Sequence, residues 1–277
     1  MEIREATIED WKILEVFFKR IYRKNHPLHT LKFWEWQYND INHGRSLICI
    51  CNNKIVGHVG ANFGGGIAWI INVYLDEEFR GKGILSKLYA LARKYYPLAA
   101  TAANDAGLNL YRNMRWIRYY DLVRYVKINP KMTKLSTVNV CSKVNTDTSN
   151  LIYKGTHYFN QPGLTGIKIG SLMAVDQSLV GGLRVVDFDN VYELESNVWE
   201  LGYNWVDYIT SWNDQKIKQL EESGWQLDKQ TVVPWRLDPI IENFYCNITF
   251  LSELPLPNDF VVHRSYSDHG RVGSIIV

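Results

Sequence analysis

The feature that most constrains this chain is a nearly unbroken apolar run, Ile67–Leu75 (IAWIINVYL). A run of this kind is typical of a central strand that is covered on both faces, because both sets of alternating side chains are then buried. After a polar loop, apolar residues recur at helical spacing at Ile84, Leu88, Leu91, Ala92 and Tyr95. A buried strand followed by an amphipathic helix predicts an α/β fold with a mixed sheet.

Strands and helices alternate on both sides of this run. Before it, the sequence predicts a strand over 2–4, a helix from the capping sequence Thr7–Asp10 to about Tyr22, a helix over 32–38, and strands over 46–51 and 54–61 around the turn Asn52-Asn53. After it, the sequence predicts a strand over 98–102, a helix over 106–114 and one long strand over 117–128.

The composition changes between residues 130 and 150, where Ser, Thr, Asn and Lys dominate. This stretch is interpreted as a linker, which divides the chain into domains 1–129 and 151–277. In the second part, strands are predicted over 168–175, 182–188, 203–209 and 260–263, and helices over 191–201 and 214–223. The order of strand, helix, strand and helix repeats that of the first part.

Charge and hydropathy exclude several classes of protein. The 277 residues carry a net charge of only +2, so no strong field favours nucleic acid or an anionic membrane as a partner. No apolar run approaches the roughly 18 residues of a membrane-spanning helix, and the N-terminus MEIREATIED lacks an apolar leader segment. The four cysteines form no Cys-x-x-Cys pair. We therefore expect a cytoplasmic protein without a metal site.

The sharpest local signal is the loop Asp76–Gly83, which ends the apolar strand and opens the next helix. Its glycines let the backbone approach a ligand closely, and the free N–H groups of the helix N-terminus favour a phosphate. Arg80 and Lys82 add positive charge at the same place. The alternative is a tight turn before an ordinary helix. The loop contains neither G-x-G-x-x-G nor G-x-x-x-x-G-K-[ST], which excludes the dinucleotide and P-loop motifs.

In context, this loop resembles motif A of the GNAT acyl-CoA N-acyltransferases, [QR]-x-x-G-x-[GA]. Arg80 and Gly83 match that pattern, and Leu85 stands where Gly or Ala is usual. A second family pattern, N-x-x-A-x-x-L-Y-x-x-x-G-F, follows at the usual spacing. Asn104, Leu110 and Tyr111 match it, while Gly107, Arg115 and Trp116 differ from it. The resemblance covers residues 1–128 and implies the GNAT fold for them.

The resemblance implies direct acyl transfer from acyl-coenzyme A to an amine in a ternary complex. Tyr111 matches the family's general acid, which protonates the departing thiolate; a core aromatic is the alternative interpretation. The pyrophosphate would lie on the N–H groups of 81–86, and the pantetheine arm would pair with the central strand. The implied coenzyme A residues are Val73, Leu75, Arg80, Gly81, Lys82, Gly83, Ile84, Leu85, Ser86 and Asn104.

A general base is harder to assign, because the strand Ile67–Leu75 contains no carboxylate. His58 on the neighbouring strand is the best titratable candidate, although a lone histidine in a strand is also a common structural hydrogen-bonder. Asn72 is a candidate for orienting the amine or a water molecule. An amine of modest pKa is partly neutral near pH 7–8, so positioning alone is a further alternative.

The loop between the first two helices usually forms one wall of the acceptor site in GNAT enzymes. Here it contains His26 and is followed by Trp34, and both are candidates for contact with a base or sugar. Packing of the short helix explains the tryptophan equally well.

The second part resembles a second, degenerate GNAT lobe, because Ser223-Gly224-Trp225 stands where a GNAT helix typically ends in Gly-Phe. It contains no second [QR]-x-x-G-x-[GA] loop, so one coenzyme A site per chain is expected. Two-lobed chains of this kind resemble enzymes that N-acylate dTDP-linked 3-amino-3,6-dideoxyhexoses with acetyl or 3-hydroxybutyryl groups. Candidate nucleotide-binding positions are Arg184, Asp187, Asp207, Tyr208 and the tail 267–271.

Three alternatives stay open from the sequence. The chain could be a GNAT acyltransferase for another small amine or peptide, a tandem-lobe aminoacyl transferase of peptidoglycan precursors, or a non-catalytic coenzyme A-binding protein. The loop Arg80–Gly83 argues against the second of these, because such proteins typically lack a coenzyme A loop. A homodimer is a further expectation for the assembly.

Overall fold

The computed structural model describes residues 1–102, 104–132, 136–228 and 248–267. The chain forms two compact units. The first comprises Met1–Tyr119, Thr249–Leu256 and Ser265–Val277, and the second comprises Tyr120–Ile248 and Pro257–Arg264.

The chain contains strands and helices in alternation. The strands are β1 (Glu2–Glu5), β2 (Gly44–Cys51), β3 (Lys54–Gly64), β4 (Ile67–Leu75), β5 (Leu98–Ala102), β6 (Ile117–Asp121), β7 (Val123–Ile128), β8 (Gly166–Ile169), β9 (Leu172–Gln177), β10 (Gly182–Asp187), β11 (Trp205–Thr210), β12 (Gln226–Leu227) and β13 (Thr249–Ser252). The helices are α1 (Trp11–Ile21), α2 (Leu31–Trp34), α3 (Ile84–Ala92), α4 (Asp105–Asn113), α5 (Thr137–Val140), α6 (Val191–Glu200) and α7 (Lys216–Glu222). A π-helical turn, Glu35–Asn39, extends α2.

A seven-stranded mixed sheet forms the first unit, in the order β1-β2-β3-β4-β5-β13-β6. The apolar run Ile67–Leu75 is the central strand β4 of this sheet, and it pairs antiparallel with β3 and parallel with β5. The helices α3 and α4 share one core with the sheet, whereas α1 and α2 belong to another core that includes Phe17, Phe18 and Ile71. Asn52 and Asn53 both adopt positive φ in the β2–β3 turn, as their residue types allow.

The second unit repeats much of this pattern in a six-stranded sheet of order β12-β7-β11-β10-β9-β8. Its parallel pair is β10 and β11, which α6 connects. Reversed, its order β8-β9-β10-β11-β7-β12 corresponds strand by strand to β2-β3-β4-β5-β13-β6 of the first unit. A GNAT-like lobe after the first lobe therefore has the architecture expected from the sequence.

Four features differ from the sequence-based expectations. The predicted strand over 168–175 is divided into β8 and β9, which pair antiparallel around a turn where Gly170 has φ +56°. The predicted strand over 117–128 is divided at Leu122, whose N–H bonds to the carbonyl of Ile248, so β6 and β7 enter different sheets. Residues 260–263 form no strand, and β13 pairs with β5 instead. The stretch expected as a linker contains Val140, which is fully buried beside Trp205 in the second unit because it is apolar. The division between units thus differs from the boundaries at 129 and 150.

Candidate functional site

The central strands of the first unit separate where a ligand could enter. Pairing of β4 with β5 runs from Ala68 opposite Leu98 to Ile70 opposite Ala100, and β4 then continues to Leu75. On its other side, His58 lies opposite Tyr74 and Gly60 opposite Ile71, so β4 carries an extra residue there. Such a bulge bends a strand and increases its twist. The backbone of 71–75 is therefore placed to pair with an extended ligand.

Asn72 is the residue that adopts the special conformation in this bulge, with φ +52°. Its side-chain Nδ2 donates a hydrogen bond to Tyr38 Oη at 2.9 Å. Its carbonyl oxygen accepts one from His58 Nδ1 at 2.8 Å. Asparagine is among the few residues other than glycine that tolerate the left-handed region. The side chain and the main chain of Asn72 are thus both held.

His58 does not fit the role of general base for which the sequence made it a candidate. The ring is fully buried, and its Nε2 accepts a hydrogen bond from Ser46 Oγ at 3.0 Å while Nδ1 donates to Asn72. Burial lowers the pKa of His58 to about 4, so the imidazole is neutral near pH 7. Because both nitrogens are engaged below the surface, His58 is a structural hydrogen-bonder that has no path to an incoming amine.

The loop before α3 forms an open cradle of backbone groups. Gly81 and Gly83 have φ +74° and +71°, and no atom lies within 4 Å of where a Cβ would stand on either. Gly83 is the N-cap of α3, and no side chain caps that helix. The first N–H groups of α3 therefore have no partner within the helix. Such a terminus, with its positive dipole end, is suited to a phosphate.

The charged side chains of this loop lie on the surface. Arg80 donates from Nε to the Leu75 carbonyl at 3.2 Å, and its side chain is 59% exposed. Lys82 is exposed and lies over the Phe79 ring at 5.2 Å. Arg80 Nη1 also lies 3.4 Å from Glu77 Oε1, so its charge is partly compensated, and Lys82 adds a second positive charge next to the cradle.

Leu85, which departs from the family motif, packs partly buried against the core of α3, as does Val73 of β4. Ile84 and Leu75 are buried in the same core, and Ser86 is exposed beside the cradle. The larger side chain at position 85 therefore points away from the open space above the glycines.

Helix α4 places the expected general acid. Asn104 is its N-cap, and its Oδ1 accepts a hydrogen bond from Gly107 N at 2.8 Å. Tyr111, in the last turns of α4, is only 4% exposed, and its ring stacks on Trp116 with 4.5 Å between the centroids. Burial raises the pKa of Tyr89, and a hydrogen bond with the neighbouring Tyr111 side chain partly offsets that effect. Tyr111 therefore lies in a largely apolar environment next to a second buried phenol.

Surface residues between α1 and α2 line an open cleft of about 620 Å³. The cleft is lined by Lys19, Tyr22, Lys24, Asn25, His26, Pro27, His29 and Thr30. The His26 ring stacks on Tyr22 with 4.1 Å between centroids, and its Nδ1 accepts a hydrogen bond from Leu28 N. The lining contains Lys19 and Lys24 and no carboxylate, but Lys19 Nζ donates to Glu15 Oε1 at 2.6 Å, so its charge is compensated from outside the lining. Lys24 is the lining cation that favours an anionic ligand.

Trp34, expected to face an acceptor, is instead 1% exposed in the core of α1 and α2. It packs against Trp11 with ring centroids 6.2 Å apart. The alternative interpretation, that the short helix uses this tryptophan for packing, is the one the structure bears out.

In the second unit, the expected nucleotide-binding residues belong to buried networks. Asp207 is fully buried and accepts hydrogen bonds from Arg124 Nε at 2.9 Å and Arg264 Nη2 at 2.7 Å. Arg184 lies 4.0 Å from the same carboxylate and is 2% exposed. Burial would raise the pKa of Asp207, but the three guanidinium groups outweigh it and the pKa is lowered. These residues hold the sheet together rather than face a ligand.

Tyr208 and Asp187 also have internal partners. Tyr208 is buried and donates to Asp214 Oδ2 at 2.8 Å, and Asp187 forms an ion pair with Lys216. The tail Asp268–Arg271 lies outside the described residues. Among the described residues, no group of three or more His, Cys, Asp or Glu side chains is arranged to hold a metal ion.

In the described part of the second unit, the helix that corresponds to α3 begins differently. The N-terminus of α6 is closed by Asn190, whose Oδ1 accepts hydrogen bonds from Tyr192 N and Glu193 N. The end of β10 is followed by Phe188, which is buried against Tyr208 with centroids 5.3 Å apart. The corresponding phosphate and arm positions are thus filled by the chain's own side chains.

Sequence reasoning missed Tyr38, which contacts Asn72 from the π-helical turn. Gly60 in strand β3 is a signal for it, because a Cβ at this position would lie only 2.2 Å from Tyr38 Oη. A glycine inside a strand indicates close approach of another group, although the sequence does not identify that group.

Known proteins support this picture at the level of fold and domain. Residues 11–115 match the model of the acetyltransferase (GNAT) family. A candidate acetyltransferase structure from Pyrococcus horikoshii is 13% identical, with a TM-score of 0.50, over 99% of this chain and 92% of its own. A probable N-acyltransferase from Enterococcus faecalis is 11% identical, with a TM-score of 0.51, over 82% and 70%. Among curated proteins, none matches this chain.

The match to the GNAT acetyltransferase model thus lies in the first unit, and the α/β fold of nearly the whole chain is similar to that of the Pyrococcus horikoshii structure. The expected fold, a GNAT unit followed by a GNAT-like lobe, is confirmed. Within the described ranges, no helix has both the length and the apolar character needed to cross a bilayer.

Proposed function

We propose that the chain is an acyl-CoA-dependent N-acyltransferase that transfers an acyl group, acetyl or 3-hydroxybutyryl, to the amine of a nucleotide-linked amino-deoxysugar. A dTDP-3-amino-3,6-dideoxyhexose is the acceptor to which the sequence resemblance points. The reaction is direct attack by the amine in a ternary complex. Bound acyl-coenzyme A supplies a thioester carbonyl that an amine attacks more readily than a free carboxylate.

The observation that carries this proposal is the uncapped N-terminus of α3 next to the separated strand β4. Gly81 and Gly83 leave open space above it, and Arg80 flanks it. Backbone N–H groups there hold a pyrophosphate, and the bulged segment 71–75 pairs with the pantetheine arm. The second unit offers no equivalent, because Asn190 caps α6, so we assign one donor site to each chain.

Tyr111 is assigned as the general acid. A thiolate leaving group requires a proton, and a phenol within hydrogen-bond reach can provide one. Tyr111 is nearly completely buried, and a hydrogen bond to charge developing on sulfur is stronger away from bulk water. Asn104 acts indirectly, because it caps the helix that carries Tyr111.

The amine requires no base from His58, which lies below the surface. We assign the removal of the ammonium proton to solvent before binding, so that the amine enters neutral. When the C–N bond forms and the C–S bond breaks, Tyr111 gives its proton to sulfur, and the proton that the nitrogen loses returns to Tyr111 through solvent. The enzyme then contributes positioning, which alone can supply a large share of a rate enhancement. Asn72, at the bulge, is the polar side chain of β4 placed to influence that geometry.

The cleft between α1 and α2 is assigned to the acceptor. Lys24 favours an anionic group such as a diphosphate, and the stacked pair Tyr22–His26 offers a flat surface for a base or sugar. A polyamine, which is cationic near pH 7, or an uncharged peptide would gain nothing from Lys24. The cleft therefore favours a nucleotide-linked acceptor over other small amines.

Thermal unfolding of the full chain with coenzyme A, dTDP and UDP in separate samples tests the proposal. A ligand that binds only the folded state raises the melting temperature. Coenzyme A and dTDP should each do so, and UDP should not. No shift with coenzyme A overturns the donor assignment, whereas a shift with coenzyme A but not dTDP overturns the acceptor assignment alone.

A matched pair of variants locates the donor site. Gly83→Trp should abolish the coenzyme A shift, because the side chain fills the cradle. Gly66→Trp is the control, since Gly66 also has positive φ (+73°) and open space around its Cβ position but lies in the β3–β4 turn. Unchanged coenzyme A binding by Gly83→Trp would show that the loop is misassigned.

A further inference from the structure

Tyr38 is buried beneath the bulge of β4, and the surrounding backbone is shaped to admit it. A Cβ on Gly60 would lie 2.2 Å from Tyr38 Oη, and a Cβ on Gly44 would lie 2.4 Å from the Gln37 carbonyl oxygen. Both neighbours belong to the π-helical turn Glu35–Asn39. Turns of this kind occur frequently at functional sites. The two glycines and the π-helical turn thus allow the Tyr38 hydroxyl to come close to the strands.

The Tyr38 hydroxyl contacts the bulge residue Asn72. Tyr38 Oη accepts hydrogen bonds from Asn72 Nδ2 at 2.9 Å and from Gln37 Nε2 at 3.1 Å. From the neighbouring strand, His58 Nδ1 donates to the Asn72 carbonyl oxygen. Because that oxygen can only accept, the proton of neutral His58 is on Nδ1 and Nε2 accepts from Ser46. Asn72 is therefore fixed at its side chain by Tyr38 and at its main chain by His58.

A residue with φ +52° inside a strand is strained unless its surroundings hold it there. The conformation of Asn72 determines the direction of 71–75, the segment beyond the last β4–β5 pair at Ile70 and Ala100. The cradle at Gly81 and Gly83 belongs to a different loop. Loss of either contact to Asn72 should thus disturb the segment and leave the cradle unchanged.

We propose that Tyr38 and His58 are positioning residues that hold Asn72 in its left-handed conformation and so align β4 with the acyl-pantetheine arm of the donor. This inference rests on the proposed acyl-CoA site and goes beyond it by assigning the residues that set its geometry. Neither side chain touches the donor, and both act through Asn72.

Calorimetric titration of the full chain with two probes tests the inference. Acetyl-CoA carries the arm, whereas its nucleotide fragment carries the pyrophosphate but lacks the arm. Tyr38→Phe removes the oxygen that accepts from Asn72 and Gln37, and the lost contact with Asn72 should weaken acetyl-CoA binding about fivefold to tenfold. Binding of the fragment should change less than twofold. Tyr95→Phe is the control, because Tyr95 also loses a hydroxyl hydrogen bond, to Glu5, elsewhere in the first unit.

Asn72→Gly removes the other partner of the same hydrogen bond, because glycine adopts positive φ but lacks the side-chain amide. It should reproduce the acetyl-CoA effect, and the double variant should be no weaker than either single one, because both remove the same interaction. Equal weakening toward both probes, or additive effects, would overturn the inference. A wild-type chain that binds neither probe would overturn the proposed donor site itself.

Discussion

Tyr111 and Leu220 occupy the same position in two copies of one helix ending. Trp116 N donates to the Tyr111 carbonyl and Arg115 N to that of Arg112, at the end of α4. At the end of α7, Trp225 N donates to the Leu220 carbonyl and Gly224 N to that of Glu221. Both pairs of bonds form a Schellman motif. The second unit thus keeps the backbone of the first but has a buried leucine where the first has a phenol.

If Tyr111 is the general acid, its hydroxyl should be needed for turnover but not for donor binding. Tyr111→Phe should lower kcat by about 10²–10⁴-fold and leave coenzyme A affinity nearly unchanged. Thiol release from acetyl-CoA with a dTDP-amino sugar measures kcat, and calorimetric titration measures coenzyme A affinity. Tyr125→Phe is the control, because its hydroxyl bonds to Glu221 in the second unit. An unchanged kcat for Tyr111→Phe would remove Tyr111 from this role.

Arg115 ends α4 in the left-handed conformation, with φ +60°, where glycine is usual. A side chain in that region is strained by about 1 kcal/mol or more. Arg115→Gly should therefore raise the free energy of unfolding by about 0.5–1 kcal/mol, measured by urea titration. The control Arg112→Gly, inside the same helix, should lower it by about 1 kcal/mol. A loss for both variants would mean that the Arg115 side chain stabilises the motif.

Removing a charge from the buried cluster around Asp207 should change the free energy of unfolding more than a substitution at Arg115. Asp207→Asn removes the carboxylate that pairs with Arg264 and that shares Arg124 with Asp228, so both guanidinium groups stay buried with less compensating charge. The free energy of unfolding should fall by about 3–5 kcal/mol. Asp187→Asn is the control, since its partner Lys216 is partly exposed, and it should change stability by less than about 1 kcal/mol. Similar small effects for both would argue that water reaches the cluster.

His58 should make stability depend on pH on the acid side. Because burial lowers its pKa from 6.5 to about 4, the unfolded chain binds more protons between those two pH values. The free energy of unfolding should thus decrease as pH falls from about 6.5 to about 4, by up to about 3 kcal/mol from this group. Urea titrations across that range should show a smaller decrease for His58→Gln than for the surface control His43→Gln. Parallel curves would exclude His58 as the cause.

The sequence predicted the fold where short-range physics decides. The apolar run 67–75, the Asn52-Asn53 turn and the glycine cradle before α3 each follow from residue type and spacing, and the structure has all three. Burial of individual polar residues was not predictable in this way. Asp207 and His58 look like ordinary chemical groups in the sequence, and only the strands packed around them turn them into structural groups.

Non-local pairing was also beyond the sequence. Residues 117–128 have the pattern of one strand, because nothing in their alternation indicates that two sheets share them. Likewise, Tyr38 gained a role only when the π-helical turn placed it against Gly60. Contacts between distant segments decide both cases, and a local pattern carries no information about them.

The places of β7 and β13 have a consequence for how this chain can be divided. The strand β7 follows the first lobe in sequence but pairs inside the sheet of the second, between β11 and β12. The strand β13 follows the second lobe but lies between β5 and β6 of the first. A single cut anywhere between them therefore leaves each half without one interior strand. Neither lobe is a module that gene fusion or truncation can transfer alone, and a fragment ending at residue 128 would expose two unpaired sheet edges to aggregation.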